Sequence, residues 1–380
     1  MTIDVTSEQV RRFRLAATGI TEPAGRASTA LGSWTVQESP PGAATTAMLA
    51  RTSVDVAPGW LDDAISDRRS VASFYNARTA TSILRKADAP VFATALIPSD
   101  DAGFKAIVVN ALPERKSEYA SPVEEAVEAI AEILDGRELS RDDLHEELRG
   151  RLPKASLPWC EGCQSHHARR GLLVMASLHG KLCIAGKAGR APLFARSDQW
   201  LGGWDAFAAN DAGRALVDHF LAAFGPATPA EFADWAGLGK THAKALWALE
   251  EEGLVEVTVD GGKPRWIRAV DQAALEDSPA PDGARLLGPG DPILQARDRE
   301  VTVADAGVRK KLWTAIPTTG LAIHGSDAFA TWKAKKSGKR LDLTLATFAK
   351  VPRGAKAAIE EQAERLAPHR GATSVAVSWD

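Results

Sequence analysis

Two stretches of this chain, LLVMASLHGKLCIAGKAGRAPLFAR at residues 172–196 and ALWALEEEGLVEVTVDGGKPRWIR at residues 245–268, follow one pattern. In each, an apolar helical run stops at a glycine and an apolar strand follows. A glycine-containing turn then reverses the chain into a second strand that ends in Arg. This is an internal repeat of one supersecondary unit. The hairpin expectation is firmest at Asp260-Gly261-Gly262, because Asp and Gly between β-branched runs accept the positive φ of a tight turn.

Each hairpin is preceded by signals for three helices. In the first copy, Ser121-Pro122-Val123-Glu124 reads as a capping box with Pro at the first helical position. Val123, Val127, Ile130, Ile133 and Leu134 then form a helical stripe that Gly136 ends. Ser140 caps a second helix, and a third is expected over residues 166–179. In the second copy a helix covers residues 212–224, and Thr228-Pro229-Ala230-Glu231 is again a capping box. A short helix follows, then a third over residues 240–252. Three helices and a β-hairpin make a winged helix, a form of helix-turn-helix in which the third helix enters the DNA major groove. Such units also serve as protein-binding or structural modules.

The remainder is expected to be α+β. Residues 1–120 give mostly helical signals, at 9–18, 43–51 and 59–68. Winged-helix units follow at 121–200 and 211–270. A Pro-, Gly- and Asp-rich linker, residues 277–290, leads to a C-terminal β-containing module at 285–380, with strands at 321–324, 328–333, 340–345 and 374–378 and a helix at 354–366. The fold class expected is therefore α+β, with tandem winged-helix units and a C-terminal β-containing module.

With 45% hydrophobic and 25% charged residues, the 380-residue chain has the composition of a globular protein of two or three domains. Three cysteines, an odd number, imply no disulfide framework and suit a reducing, cytoplasmic setting. The N-terminus carries acids early and no apolar core, so no signal peptide is expected. No run of about 18 apolar residues predicts a membrane span. Net charge is −3, which argues against a uniformly basic nucleic-acid binder. The average conceals a gradient: ten acids and three bases at residues 121–150, but ten bases and four acids at 333–370. A near-neutral chain can thus carry a basic face.

Three places concentrate candidate DNA contacts. Lys333, Lys335, Lys336, Lys339 and Arg340 surround a hairpin turn read at Ser337-Gly338, which would put five cations on a projecting tip. Lys240, His242 and Lys244 open the third helix of the second unit, where a helix N-terminus suits phosphate. Glu250, Glu251 and Glu252 at its other end would repel DNA, so docking must use the N-terminal end. Arg169 and Arg170, near the start of the third helix of the first unit, are read with His166 and His167 as facing DNA or solvent. Cys160-x-x-Cys163-x-x-His166-His167 has the outline of a metal knuckle without an obvious fourth ligand, since His167 adjoins His166. The stretch is read as a turn before that helix, and no metal or cofactor is assigned. Gly237-Leu238-Gly239-Lys240-Thr241 is not a P-loop, because Asp234 stands at the required first Gly. His145-Glu146-Glu147-Leu148-Arg149 lacks the second His of a zinc-protease helix.

Several segments resemble the winged-helix DNA-binding family that includes the AlkZ-type DNA glycosylases. LLGPGDPILQARDRE at 286–300 is similar to that family's Leu-Leu-x-Pro-x-Asp-Pro stretch with downstream Arg. FGPATPAEFADWAGL at 224–238 resembles its second helix-turn-helix. GLAIHGSDAFATWKAKKSGKRLDLTL and HRGATSV match in layout. The resemblance runs from about residue 11 onward. It implies a duplex-DNA partner, no cofactor, and hydrolytic removal of bulky N7-alkylated purines. The family's catalytic signature is Gln-x-Gln, or Gln-x-Asp in a sister group. Here the matching stretch is Val36-Gln37-Glu38-Ser39, so Ser39 departs from both versions and Glu38 replaces an apolar residue. The resemblance points to Gln37 with Ser39 or Glu38 as the catalytic group. Non-catalytic readings remain beside it: a DNA-binding regulator, a lesion-shielding factor, or an adaptor whose winged helices bind protein. The sequence carries no signal of oligomeric state.

Overall fold

The computed structural model describes residues 3–189, 191–202, 204, 207–314 and 317–380. The chain is a mixed α+β protein with small sheets. It divides into two compact units: one of Met1–Leu61, Asp218–Phe232 and Glu251–Asp380, the other of Asp62–Val217 and Ala233–Glu250.

The first unit is organised around a five-stranded sheet ordered Ala284–Leu287, Gly320–His324, Asp327–Ser337, Arg340–Thr347, Ser374–Trp379. The first four strands pair antiparallel; a helical excursion, Pro292–Gln295, Arg299–Thr302 and Ala306–Leu312, joins the first two, and two-residue turns join the next pairs. The last pair is parallel, which demands a crossover, and the helix Ala355–Leu366 supplies it. Leu341, Leu343 and Leu345 alternate inward with Trp332 against Ile359, Ala363 and Leu366 of that helix. Trp332 is buried whole because its indole N–H donates to the Leu287 carbonyl at 2.9 Å. The edge strand Ala284–Leu287 lies within the stretch read as linker. Its glycines and prolines flank an apolar Leu286-Leu287 pair that the sheet buries.

A smaller sheet in the same unit joins Ile3–Val5, parallel, to the hairpin Leu254–Val259 and Arg265–Arg268. Thr6 and Gln9 then form a reciprocal capping box that starts the helix Ser7–Ala17. Val10 and Phe13 of this helix pack with Val257 and Ile267 of the hairpin. The expected Thr228/Glu231 capping box is present, with Glu231 Oε2 accepting from Thr228 N at 2.8 Å.

The second unit contains the helices Ala120–Ile133, Arg141–Arg149 and Arg170–Leu178, followed by the hairpin Cys183–Ala188 and Ala191–Ala195. Leu139–Ser140 adds a third strand to that hairpin. Ser140 caps its helix as expected, accepting from Asp143 N at 3.2 Å. The capping box expected at Ser121 does not form: the helix begins at Ala120, and buried Tyr119 donates its N–H to Asp101 instead. A tertiary partner overrides the local signal there. The helix expected from residue 166 starts only at Arg170, because Trp159–Cys160 and Ser165–His166 pair as a two-stranded ribbon. A second hairpin, Val71–Tyr75 with Thr81–Arg85, was not legible in the sequence. The second copy of the repeat runs Ala209–Phe224, Pro229–Ala236, Lys240–Ala248, Leu254–Val259, Arg265–Arg268, and the division between units falls inside its first two helices. Among the described residues, no helix is long and apolar enough to cross a membrane.

Candidate nucleic-acid interface and N-terminal polar loop

The loop carrying Gln37, Glu38 and Ser39 is built by three restraints within the first unit. Val36 is fully buried and anchors its start, Gln37 is half-buried, and Ser39 is exposed. Glu38 turns back onto the following helix, Ala43–Leu49. Its Oε1 accepts from Gly42 N at 2.7 Å and its Oε2 from Ala44 N at 2.9 Å. A carboxylate suits that position because the first N–H groups of a helix lack intrahelical partners and carry partial positive charge.

From the C-terminal side, Arg370 clamps the same turn. Its Nη1 donates to Pro41 O at 3.1 Å, and its Nη2 to Thr46 Oγ1 at 2.9 Å. Burial pushes the Arg370 guanidinium below its ordinary value, while Glu38 pulls it back up. On the other flank stands Gly290, at φ +79°, whose missing Cβ would lie 3.0 Å from Ser39 O. Only glycine lets the Leu-Leu-Gly-Pro-Gly-Asp-Pro turn approach the loop backbone this closely.

Both acids of that turn region are structural anchors. Asp291 receives two hydrogen bonds from Arg51, at 2.8 and 2.9 Å, with both side chains fully buried. Arg51 spends further N–H groups on Thr18 O and Ala47 O and lies over the Trp34 ring. Asp298 pairs in the same bidentate manner with Arg14, and also meets Arg265, which in turn holds Glu231. Arg14, Arg51 and Arg370 are not among the site residues expected from the sequence. Nothing local distinguishes a buried arginine from a solvated one.

The basic hairpin lies in this unit too. Ser337 pairs with Arg340, so the two-residue turn is Gly338-Lys339, one position later than read from the sequence. Lys333, Lys335, Lys336, Lys339 and Arg340 are all exposed. The hairpin is not a free tip, however: Arg340 also pairs with Ser374 of the parallel strand, and its guanidinium is held by Asp342 at 2.5 Å. Hydrogen bonding to Asp342 raises the Arg340 guanidinium above its usual value. A Cβ at Gly371, next to Arg370, would lie 3.0 Å from Lys336 Nζ. The cationic hairpin and the Gln37 loop are therefore linked through Arg370 and Gly371.

In the second unit, Lys240 and Lys244 project from the start of the helix Lys240–Ala248, whereas His242 is half-buried. Burial lowers the His242 imidazole below its usual value of 6.5, against a smaller opposing pull from Asp100. A cavity of about 270 Å³ opens at this helix end, lined among others by Asn76, Arg78, Asp100, Gly237, Lys240 and His242. The side-chain amide of buried Asn76 has no hydrogen-bond partner among the described residues. Arg169 and Arg170 are engaged by protein. Arg169 donates to Trp159 O at 2.6 Å and Cys160 Sγ at 3.5 Å; Arg170 donates to Thr79 O and lies over the Tyr75 ring. His166 is not gathered with the cysteines: its Nδ1 meets Leu157 O at 2.8 Å and its ring stands edge-on to Trp159. His167 takes that place beside Cys160 and Cys163.

These features belong to a known class. The family description "DNA glycosylase AlkZ-like" matches residues 30–369, and the chain belongs to the AlkZ-like DNA glycosylase family. Its fold is similar to that of the Streptomyces sahachiroi DNA glycosylase AlkZ, with a TM-score of 0.77 and 21% identity over 100% of each chain. No match is found among curated proteins.

Proposed function

We propose that this protein binds duplex DNA through tandem winged-helix units and excises bulky N7-alkylated purines by hydrolysing the N-glycosidic bond. The helix, helix, helix, hairpin order, which occurs twice, supports winged helices at residues 121–200 and 211–270. Residues 1–120 then carry the reacting loop and 285–380 the basic module.

Alkylation at N7 makes the purine cationic, so the base leaves without being protonated. Water forms the new bond to C1′, the C1′–N9 bond breaks with its electron pair going to the purine, and the water's surplus proton passes to solvent. The protein must orient that water and offset positive charge developing on the sugar. In this reading the Gln37 carboxamide oxygen holds the water, and exposed Ser39 adds one hydrogen bond. Glu38 has both oxygens committed to the Ala43–Leu49 helix, so it fixes the loop and contributes its negative charge from there. Lys333, Lys335, Lys336, Lys339 and Arg340 contact the backbone beside the loop, and Lys240 and Lys244 contact phosphate at their helix end. His242, Arg169 and Arg170 are assigned to the same DNA-facing surfaces. No cofactor enters the reaction.

The observation that carries this reading is the chain of contacts from Gln37-Glu38-Ser39 through Arg370 and Gly371 to Lys336, which sets a polar loop next to a cationic hairpin. The decisive experiment follows release of N7-alkylguanine from duplex DNA by the wild type and by Gln37→Ala. Loss of release in the variant supports the assignment; equal rates, or no release by either, remove it. Ser39, where the family has Gln or Asp, favours a second reading, a non-catalytic DNA-binding protein. Tight binding to one undamaged sequence, without preference for alkylated duplex, would select it.

A further inference from the structure

We propose that Cys160, Cys163 and His167 bind a zinc ion that locks the Trp159–His166 ribbon against the start of the helix Arg170–Leu178. The donor atoms of these three residues, two sulfurs and one imidazole nitrogen, all lie within 4.8 Å of one another. A tetrahedral zinc with Zn–S of about 2.3 Å and Zn–N of about 2.0 Å needs donors roughly 3.5–3.8 Å apart. The remaining approach of about 1 Å falls to the exposed ribbon turn that carries Cys163.

The turn is built as a metal knuckle. Cys160 ends one two-residue strand, paired with Ser165 of the other, and Cys163 sits in the turn between them. Gln164, at φ +50°, closes that turn in a conformation L-residues seldom take. His167 Nδ1 meets the Ala168 carbonyl at 2.8 Å, which puts the ring proton on Nδ1 and leaves Nε2 as the donor. That Nε2 is buried and has no hydrogen-bond partner of normal geometry among the described residues, with the Cys160 side chain beside it. The His145 ring stacks on His167 at 4.6 Å and 13°, restricting its rotation. Arg169 Nη1 donates to Cys160 Sγ at 3.5 Å, an outer contact that favours the thiolate.

Two thiolates and an imidazole select zinc over the hard, oxygen-seeking cations. The exposed side at Cys163 leaves the fourth position to solvent. The ion closes the chain from residue 160 to 167, directly ahead of Arg169 and Arg170, so its role is to hold the helix start. It takes no part in the glycosidic chemistry.

The test is metal analysis of the full-length protein expressed with zinc and then dialysed, alongside Cys163→Ser and His167→Ala. About one zinc per chain is expected in the wild type, and at least a tenfold drop in each variant. Cobalt substitution supplies an independent readout. Wild type should show the intense thiolate-to-cobalt and ligand-field bands of a tetrahedral site, and Cys163→Ser should lack them. Cys163 is exposed, so the variant folds, which unchanged circular dichroism would verify. Zinc-free wild-type protein under these conditions, equal zinc in wild type and Cys163→Ser, or a Cys160–Cys163 disulfide in place of metal would overturn the proposal.

Discussion

Arg51 and Asp291, 240 residues apart in the sequence, form a doubly hydrogen-bonded ion pair whose side chains are both 0% exposed. The pair ties the end of the Ala43–Leu49 helix to the Gly288–Asp291 turn, and both flank the Gln37 loop. A buried charge pair of this kind adds little net stability over an apolar pair of the same shape, but losing one partner strands the other charge. The two parallel hydrogen bonds between planar groups set the orientation of the helix end relative to the turn.

Asp291→Ala should therefore destabilise the protein by about 3–5 kcal/mol. The double variant Arg51→Met/Asp291→Leu should lose clearly less. Urea unfolding of the three proteins measures this; a double variant as unstable as the single would show that the pair contributes more than mutual neutralisation.

Gly290→Ala places a Cβ at φ +79° and 3.0 Å from Ser39 O. A left-handed non-glycine residue costs about 1–2 kcal/mol, and the close approach displaces the loop as well. Base excision should fall by more than the loss of folded protein accounts for, seen by comparing initial rates at a temperature where both proteins are folded.

Lys333→Glu and Lys335→Glu should weaken duplex binding. For every phosphate that the hairpin no longer neutralises, the slope of log affinity against log salt should flatten by about 0.9. Fluorescence anisotropy over a salt series reads this directly. An unchanged slope would take the hairpin out of the DNA interface.

His242 titrates below the usual 6.5 because burial disfavours its charged form. It is neutral at pH 7, so His242→Ala should leave the salt slope there unchanged, while Lys240→Glu flattens it. The stability sign follows from the same shift. The unfolded chain takes up this proton more readily than the native one, so stability is lost as pH falls below 6.5. His242→Asn should blunt that loss in acid-unfolding titrations.

Burial pushes the Cys183 thiol up to about 12. With a chelator present, Cys160 and Cys163 should react with a thiol reagent at pH 8 in native protein. Cys183 should wait for denaturant. Mass spectrometry of the labelled peptides distinguishes them, and early labelling at Cys183 would mean that its hairpin opens.

Elements with a complete local signal were readable. The hairpin at Asp260-Gly261-Gly262, the Thr228/Glu231 cap and the C-terminal strands and helix lie where their turn, capping and periodic residues put them. The failures share a cause. Ser121 looks like a cap but loses to Tyr119, whose N–H is drawn to Asp101. Ala284–Leu287 looks like linker until a neighbouring strand supplies its hydrogen bonds.

The sequence by itself determined the repeated helix-and-hairpin grammar, the basic C-terminal segment and the family-like motifs, because capping, turn formation and charge are properties of neighbouring residues. Only the tertiary structure decided that Glu38 holds a helix end, that Arg370 clamps the candidate loop, and that His167 rather than His166 stands with the cysteines. Those outcomes depend on which distant backbone and side-chain groups arrive beside each residue. Burial and partner choice are set by packing across the whole chain, and no local pattern encodes them.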